Sequence, residues 1–398
     1  MSGERISTTE TARHTSAWPF VLAAFAFSRL LFLGTGAVAA ATLPWAKPFS
    51  PAVVPPGLLD YWAHWDGAWY SDIAMHGYRT PTSTAFFPLF PMLLRVGTAL
   101  GGGPALWGVL ISLVAFPFAM YFLYRVTEKL RGVKVARIAV LTFAFFPTAF
   151  FLNATYTEAL FVAFTTGSFW AAYVRRDLLL AGLLGALAAA TRNFGVLLLI
   201  PLGYEWLRNR REFGWHGVWE IGIVPTGLLG YMSFLWFRFG DPLIFFSAQE
   251  TFWRRELTDP ATALEMAWTK AREGLGHLLD PATLFLDPRG GDAVLEAYNT
   301  ISFAFLVLLL VLVSIGFLVL PLRLSVYTFL VTLLPLLTPN PEIPLMGLPR
   351  YALGAFPLFL ILGYLLSHSR IALYLWLIIS GGLGIAFTAL FVTWRWMV

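Results

Sequence analysis

Apolar residues run along this chain in long blocks, one after another from residue 18 to residue 393, with almost none of the alternation a half-buried strand would show. A helix needs roughly 20 apolar residues to cross about 30 Å of hydrocarbon. Inside lipid every backbone amide must pair within the protein, which leaves helices or closed barrels, and the missing period of two selects helices. The blocks predict spans near 18–43, 105–124, 138–152, 159–174, 178–190, 195–207, 217–239, 299–320, 324–338, 351–366 and 371–393, about eleven in all. Pro147, Pro201, Pro225 and Pro335 fall in or beside them, which is tolerated where neighbouring helices satisfy the freed carbonyls. The first block, Trp18 to Leu43, is about 26 residues long and carries Arg29, too long for a signal h-region, so it reads as a retained helix. The expected fold class is an all-α integral membrane protein forming a single domain over residues 1–398. Its long outer loops lie at about 44–104, 240–298 and 339–350, and "DPATALEMAWTKAREGLGHLLD" in the second reads as one amphipathic helix after Asp259.

Composition sharpens this picture. Hydrophobic residues make up 58% of the 398 and charged residues 12%, values that a water-soluble core of this size does not require. The absence of cysteine removes disulfides, thiolate nucleophiles and zinc–thiolate clusters, and six scattered histidines do not suggest a metal centre. The net charge of +5 arises from basic residues between the apolar blocks, so it reports topology rather than nucleic-acid binding. Arg5, Arg13, Arg125, Lys129, Arg131, Lys134, Arg137, Arg175, Arg176, Arg208, Arg210, Arg211, Arg323 and Arg370 all fall on one side of the predicted topology, which the positive-inside rule makes the cytoplasm. Fifteen of the twenty-two acids fall on the other face, so the polar chemistry is expected outside.

Five polar clusters lie on that outer face. The richest, "YWAHWDGAWYSDIAMHGY" at 61–78, wound as a helix, puts Trp62, Trp65, Trp69, Ile73 and His76 in one stripe and turns Asp60 and His64 away. Asp66 falls within the ring-rich face, beside Tyr70 and Ile73, on a segment expected to lie along the membrane surface. The bland alternative is an interfacial aromatic belt with an incidental aspartate. In "NATYTEALF", 153–161, Thr155 and Glu158 have the spacing of a capping box, so a role for Tyr156 or Glu158 has to come from their surroundings. "ATRNFG", 190–195, sets Arg192 and Asn193 between two half-length spans; an arginine there holds an anion or pairs with an acid such as Glu158. "FGDPLIFFSAQETFWRRE" brings Gln249, Arg254 and Arg255, and "NPEIPLMGLPRY" brings Arg350 and Tyr351. Guanidinium groups bind phosphate through paired hydrogen bonds, although snorkelling anchors are the plainer account of any one of them.

"HWDGAWYSDIAMHGY", "AFFPLFPMLLR", "PTAFFLNATYTEALF", "AATRNFG", "FGDPLIFFSAQ" and "LPRYALGAFPLF" together resemble, in that order, the membrane mannosyltransferases of the phosphatidylinositol-glycan class V family, which add the second mannose of GPI anchors. The compact loops are more like a prokaryotic relative. That resemblance implies a GT-C type bundle with an interfacial helix in its first outer loop, a polyprenyl (dolichyl-type) phosphate mannose donor and a catalytic acid in that loop, here Asp66. It implies a bacterial cell membrane, or the ER membrane in a eukaryote, with the N-terminus cytoplasmic and the active site on the far side. The outer placement of the polar clusters independently favours a lipid-borne sugar, because nucleotide sugars are made in the cytoplasm.

The expected chemistry is inverting transfer of mannose to a glycolipid or glycan acceptor, with Asp66 as general base. Arg192, Arg254, Arg255 and Arg350 are the candidates to hold the donor phosphate as its charge grows. Trp65, Trp69, Tyr70, His76, Tyr156, Glu158, Asn193, Gln249 and Tyr351 are candidates to line the substrates. Asp60, Asp66 and Asp72 lie on different helix faces, so neither a metal nor another cofactor is expected, and membrane lipids but no nucleic acid are the expected surroundings. A transporter or flippase, with Arg192 and Glu158 lining a path near the midplane, is the rival class; a GT-C enzyme using another sugar or a protein acceptor is the other alternative.

Overall fold

The structure, a computed structural model, describes residues 16–46, 59–287, 292–395 and 397. Arg5 and Arg13 of the basic side, and residues 47–58 of the first long loop, lie outside that set. The described residues form helices and turns, with helix in every one of the eleven predicted blocks. Four helices are by themselves long and apolar enough to cross a bilayer: Trp18–Thr42 (α1), Pro104–Ala144, Asp292–Val319 and Arg370–Val392. The others are shorter or broken, as the prolines foretold.

The first long loop is more structured than the word loop suggests. It contains helix Asp66–His76 (α2), a 3-10 turn at Pro81–Ala85 and an apolar helix, Leu89–Ala99 (α3), which the hydropathy reading left inside the loop. Helix Pro104–Ala144 (α4) is two arms meeting at Gly132, whose φ of +81° belongs to the left-handed half of the map that glycine enters without steric cost. The break explains why the pattern showed two blocks with a basic connection between them. The chain returns through Glu158–Trp170 (α5), ends in a π turn at Ala171–Arg175, and reverses into Leu178–Thr191 (α6). A 3-10 turn, Asn193–Leu198, leads into Leu199–Arg208 (α7), the two half-length elements expected around "ATRNFG". Beyond Asp259, whose carboxylate caps Pro260–Gly274, the amphipathic helix forms as expected but stops at Gly274, short of the predicted end.

Between helices in lipid there is little hydrophobic drive, so small residues that allow close approach hold them together. The buried stripe of α1 runs Val21, Ala24, Ser28, Phe32, Gly36, Ala39, and Gly36 leaves the space that the ring of Trp62 fills. Gly195 shows the same device beside the candidate site. A Cβ there would sit 2.2 Å from the Ala189 amide nitrogen and 2.3 Å from the Ala188 carbonyl carbon. The Gly195 amide in turn bonds the Arg192 carbonyl at 2.9 Å. Gly195→Ala is therefore expected to cost about 1–3 kcal/mol of stability, as overpacking does, and to displace Arg192. A melting temperature in detergent equal to that of the unsubstituted protein would contradict this.

Arg29, buried in α1, has no acid partner among the described residues. It donates to the carbonyls of Ala144 and Ala149 and, at 2.5 Å, to Oδ1 of Asn153. The Ala144 carbonyl is one freed where the second arm of α4 ends, so the cation touches a helix C-terminus, where the backbone dipole favours it, while the Ala149 carbonyl opens the 3-10 turn Ala149–Leu152.

The two ends of the bundle differ. At one end, Arg176 spans Glu205 and Glu212 at 2.5 Å each, and Arg323 lies 3.2 Å from Glu205. Lys129 bonds the Tyr173 carbonyl nearby. The opposite end, one length of α5 away, holds Asp66, Glu158 and Arg350.

Candidate functional site

Trp62 to His76 is not one helix. Asp60–Trp62 is a 3-10 turn, and α2 begins only at Asp66. Between them Trp65 takes φ +55°, ψ −117°, a conformation ordinarily left to glycine. The predicted stripe is thereby cut in two. Trp62 is fully buried against α1, while His76, at the far end of α2, is exposed and bonds Asp72 at 2.8 Å. Asp72 also meets Arg79 at 2.9 Å, so this exposed group stands apart from Asp66. The break swings the first residue of α2, Asp66, inward rather than along a lipid-facing surface.

What Asp66 meets is an arginine. Its Oδ2 lies 2.6 Å from Nη1 of Arg350, which comes from the short helix Leu348–Tyr351. Arg350 is buried, and its Nε reaches Oε1 of Glu158 at 3.3 Å. The same Oε1 accepts from Nη1 of Arg192 at 2.5 Å. Residues far apart in sequence thus form one chain of alternating charge, Asp66–Arg350–Glu158–Arg192. Glu158 is 2% exposed, and its Oε2 has no hydrogen-bond partner among the described residues.

The capping box expected for Thr155 and Glu158 does not form. Thr157 is the residue before α5 and makes no side-chain cap, and the Thr155 hydroxyl instead donates to the Ala105 carbonyl at 3.3 Å. A guanidinium outcompetes a lone backbone amide for a buried carboxylate, because it brings a full opposite charge that compensates the buried one.

Rings close the cluster. The Arg350 guanidinium lies 5.2 Å from the centroid of Tyr156 and 5.1 Å from that of Tyr351. Arg192 lies 4.8 Å from the centroid of the Tyr351 ring, and Arg255, bonded to the Met346 carbonyl, stands 6.0 Å from it. Trp69 stacks on Phe86 at 5.6 Å, and Tyr70 sets its edge against Phe86 and Phe90. The Tyr156 hydroxyl donates to the His64 carbonyl at 2.9 Å, and burial, reinforced by the Asp66 charge, pushes its phenol well above the ordinary value. Tyr70 is raised likewise by burial.

Arg254 is exposed and has no place in the cluster, and Asn193 is exposed with its side chain turned back to the Phe194 amide at 2.9 Å. Gln249 is half-buried and contributes its carbonyl to the Arg255 amide. Of the four candidate arginines, then, three gather around Tyr351. A narrow crevice lined by Glu158, Arg192, Phe194, Arg350 and Tyr351 opens between them. Among the described residues no three His, Cys, Asp or Glu side chains cluster as metal ligands would.

Sequence reasoning missed one contributor. Trp394, near the end of the chain, stacks on His64 at 3.9 Å and sets its edge to Trp65 at 5.4 Å. His64 is buried and its Nδ1 faces the Phe391 carbonyl at 3.2 Å; burial lowers its pKa from 6.5 to about 4. The folded protein therefore resists a proton that the unfolded chain accepts. That contribution is intact above pH 6.5 and is lost as pH falls toward 4, by about 3 kcal/mol in full. The melting temperature of His64→Gln should fall less steeply over this interval than that of the unsubstituted protein; parallel slopes would contradict the assignment.

Among the described residues the chain is helical, has four helices long and apolar enough to cross a bilayer, and gathers two acids and three arginines at one end of its bundle. Residues 24–208 match the family model described as mannosyltransferase (PIG-V). It is 35% identical over 179 residues to GPI alpha-1,6-mannosyltransferase 2 of Homo sapiens, covering 40% of this chain and 36% of that one. To GPI mannosyltransferase 2 of Schizosaccharomyces pombe it is 23% identical over 218 residues, covering 48% and 47%. The matches thus span between about a third and a half of these relatives' lengths. Among solved structures, the oligosaccharyltransferase of Archaeoglobus fulgidus aligns with a TM-score of 0.44 at 15% identity, over 94% of this chain and 52% of that one. ArnT of Cupriavidus metallidurans, solved with undecaprenyl phosphate, aligns with a TM-score of 0.43 at 14% identity, over 95% and 78%.

Proposed function

We propose that the protein is a GT-C type mannosyltransferase that moves mannose from a polyprenyl phosphate mannose to a glycolipid or glycan acceptor, at the end of the bundle that carries Asp66, on the non-cytoplasmic side of its membrane. The observation that carries this reading is the Asp66–Arg350–Glu158–Arg192 chain, which lies with Asp66, Glu158 and Arg192 inside the family-matched residues and draws Arg350 to them from beyond.

Without substrate, the Asp66 carboxylate is occupied by Arg350. A donor phosphate offers Arg350 and Arg192 a second anion, with Arg255 a third cation 6.0 Å from the Tyr351 ring. As the phosphate takes up the guanidinium, Asp66 is freed to accept the proton of an acceptor hydroxyl. That oxygen attacks the anomeric carbon from the face opposite the phosphate; the C1–O bond to phosphate breaks, its electron pair leaves with the phosphate, and the configuration inverts. The arginines hold more tightly as that negative charge develops, which is where electrostatic stabilisation acts on rate. Glu158 orients both arginines, and its spare Oε2 is placed to accept a sugar hydroxyl. Trp65, Trp69, Tyr70 and Tyr156 shape the rings around Asp66.

Membranes containing the protein, incubated with radiolabelled polyprenyl phosphate mannose, should move label into a lipid- or glycan-linked product. Label that enters sealed vesicles unchanged, with no product, would overturn the reading in favour of a carrier.

A further inference from the structure

Two tryptophans, one preceding Asp66 in sequence and one packed on the first from the far end of the chain, adopt backbone conformations that tryptophan avoids, and they touch. Trp65 has φ +55° and Trp394 φ +65°, and their rings meet edge to face at 5.4 Å. Positive φ in bulky L-residues persists only where the surroundings over-determine it, and such strain collects where a side chain must be aimed. The strained peptide is the one that joins Trp65 to Asp66. The Trp65 carbonyl accepts the Ala68 amide at 3.0 Å and so starts α2, which fixes the direction in which Asp66 leaves the helix.

Trp394 is held in its turn. Beneath it lies the His64 ring at 3.9 Å; behind it Arg395, wholly buried, donates to the Pro44 carbonyl at 2.8 Å and to the Asp287 carbonyl at 3.2 Å. The segment that follows the last membrane helix is thus clamped to the loop after the first helix, with the Trp394 ring pressed on the strained turn. We propose that Trp394 is a positioning residue: it holds Trp65 in its left-handed conformation and thereby sets the Asp66 carboxylate against Arg350 and, in the transferase proposed above, against the acceptor hydroxyl. Only its catalytic consequence rests on that reading.

Backbone strain separates this role from simple packing. Trp65→Ala removes the ring but keeps the Cβ that opposes φ +55°, whereas Trp65→Gly removes both. If the turn must be held, Trp65→Gly transfers mannose about tenfold faster than Trp65→Ala and melts at a higher temperature. Trp394→Ala lowers kcat about tenfold with the donor KM unchanged, and Trp394→Phe, which keeps a ring on His64, stays within about threefold of the unsubstituted protein. Equal activities for Trp65→Ala and Trp65→Gly, or a Trp394→Ala variant that melts earlier with kcat intact, would overturn the proposal. Should the unsubstituted protein transfer no mannose at all, the functional reading fails, and the melting temperatures alone decide this one: Trp65→Gly above Trp65→Ala supports it, and the reverse or equality rejects it.

Discussion

Asp66→Asn is expected to slow mannose transfer by about 10²- to 10⁴-fold, the range a positioned general base supplies, while the protein still folds. Asparagine has the same shape, and its amide oxygen can still accept from Nη1 of Arg350, which now lies 2.6 Å from a carboxylate oxygen. Arg350 also keeps its contact with Glu158 at 3.3 Å. What disappears is the capacity to take a proton, together with the difference between a charge-assisted and a neutral hydrogen bond, about 1 kcal/mol of stability. Initial rates of label transfer and a melting curve on the same preparation test both halves. A variant retaining a third or more of the rate would remove Asp66 from the chemistry.

Arg350→Gln should act in the opposite proportion, with stability suffering first. Arg350 is 5% exposed and stands between two acids, of which Glu158 is almost sealed from solvent. Removing one partner of a buried ion pair typically costs about 3–5 kcal/mol, because a charge is left behind without compensation. Glu158 keeps Arg192; Asp66 keeps no partner of similar strength in the cluster. The double substitution Asp66→Asn with Arg350→Gln removes both charges and should recover more than half of the lost stability, although it remains inactive. Arg350→Lys should recover part of the stability but little of the rate, since one ammonium on a flexible stem cannot present a planar fork to Asp66 and Glu158 together. A single Arg350→Gln variant as stable as the unsubstituted protein would mean that the cluster is hydrated and only loosely coupled.

The residues of this cluster were legible because each is costly where it stands. A lone acid among rings, an arginine between half-length helices and an arginine at a helix entry in an oily chain each ask for a partner, and the partners prove to be one another. Glu158 was legible as a residue but not in its role, since spacing alone favoured a capping box and only tertiary structure brings two guanidinium groups within reach. The long helices followed from block length, whereas α3, whose run "LFPMLLRV" is too short to announce itself, and the short helix Ile244–Thr251 did not. Trp65 could not be read at all. Nothing in "HWDG" reports a positive φ, and winding the whole segment at a constant angle carried His76 into a stripe to which it does not belong. Trp394 was hidden for another reason: it meets His64 and Trp65 across 330 and 329 residues of chain, a separation over which periodicity carries no signal. Arg254 illustrates the converse, since adjacency to Arg255 in sequence does not bring it to the same place in space.

Exposed aromatic residues stand on both sides of the turn at 222–225: Trp215 and Trp219 before it, and Trp236 and Phe237 near the end of helix Thr226–Phe239. Tyr231, one turn and a half below Trp236, bonds the carbonyl of Thr84 at 2.8 Å, and the neighbouring Phe86 carries the ring on which Trp69 stacks. Through these contacts α2 is tied to helix Thr226–Phe239. If the donor is the lipid-borne sugar proposed above, it would reach Asp66 by lateral drift in a plane, a two-dimensional search in which depth is settled beforehand by the carrier's own tail.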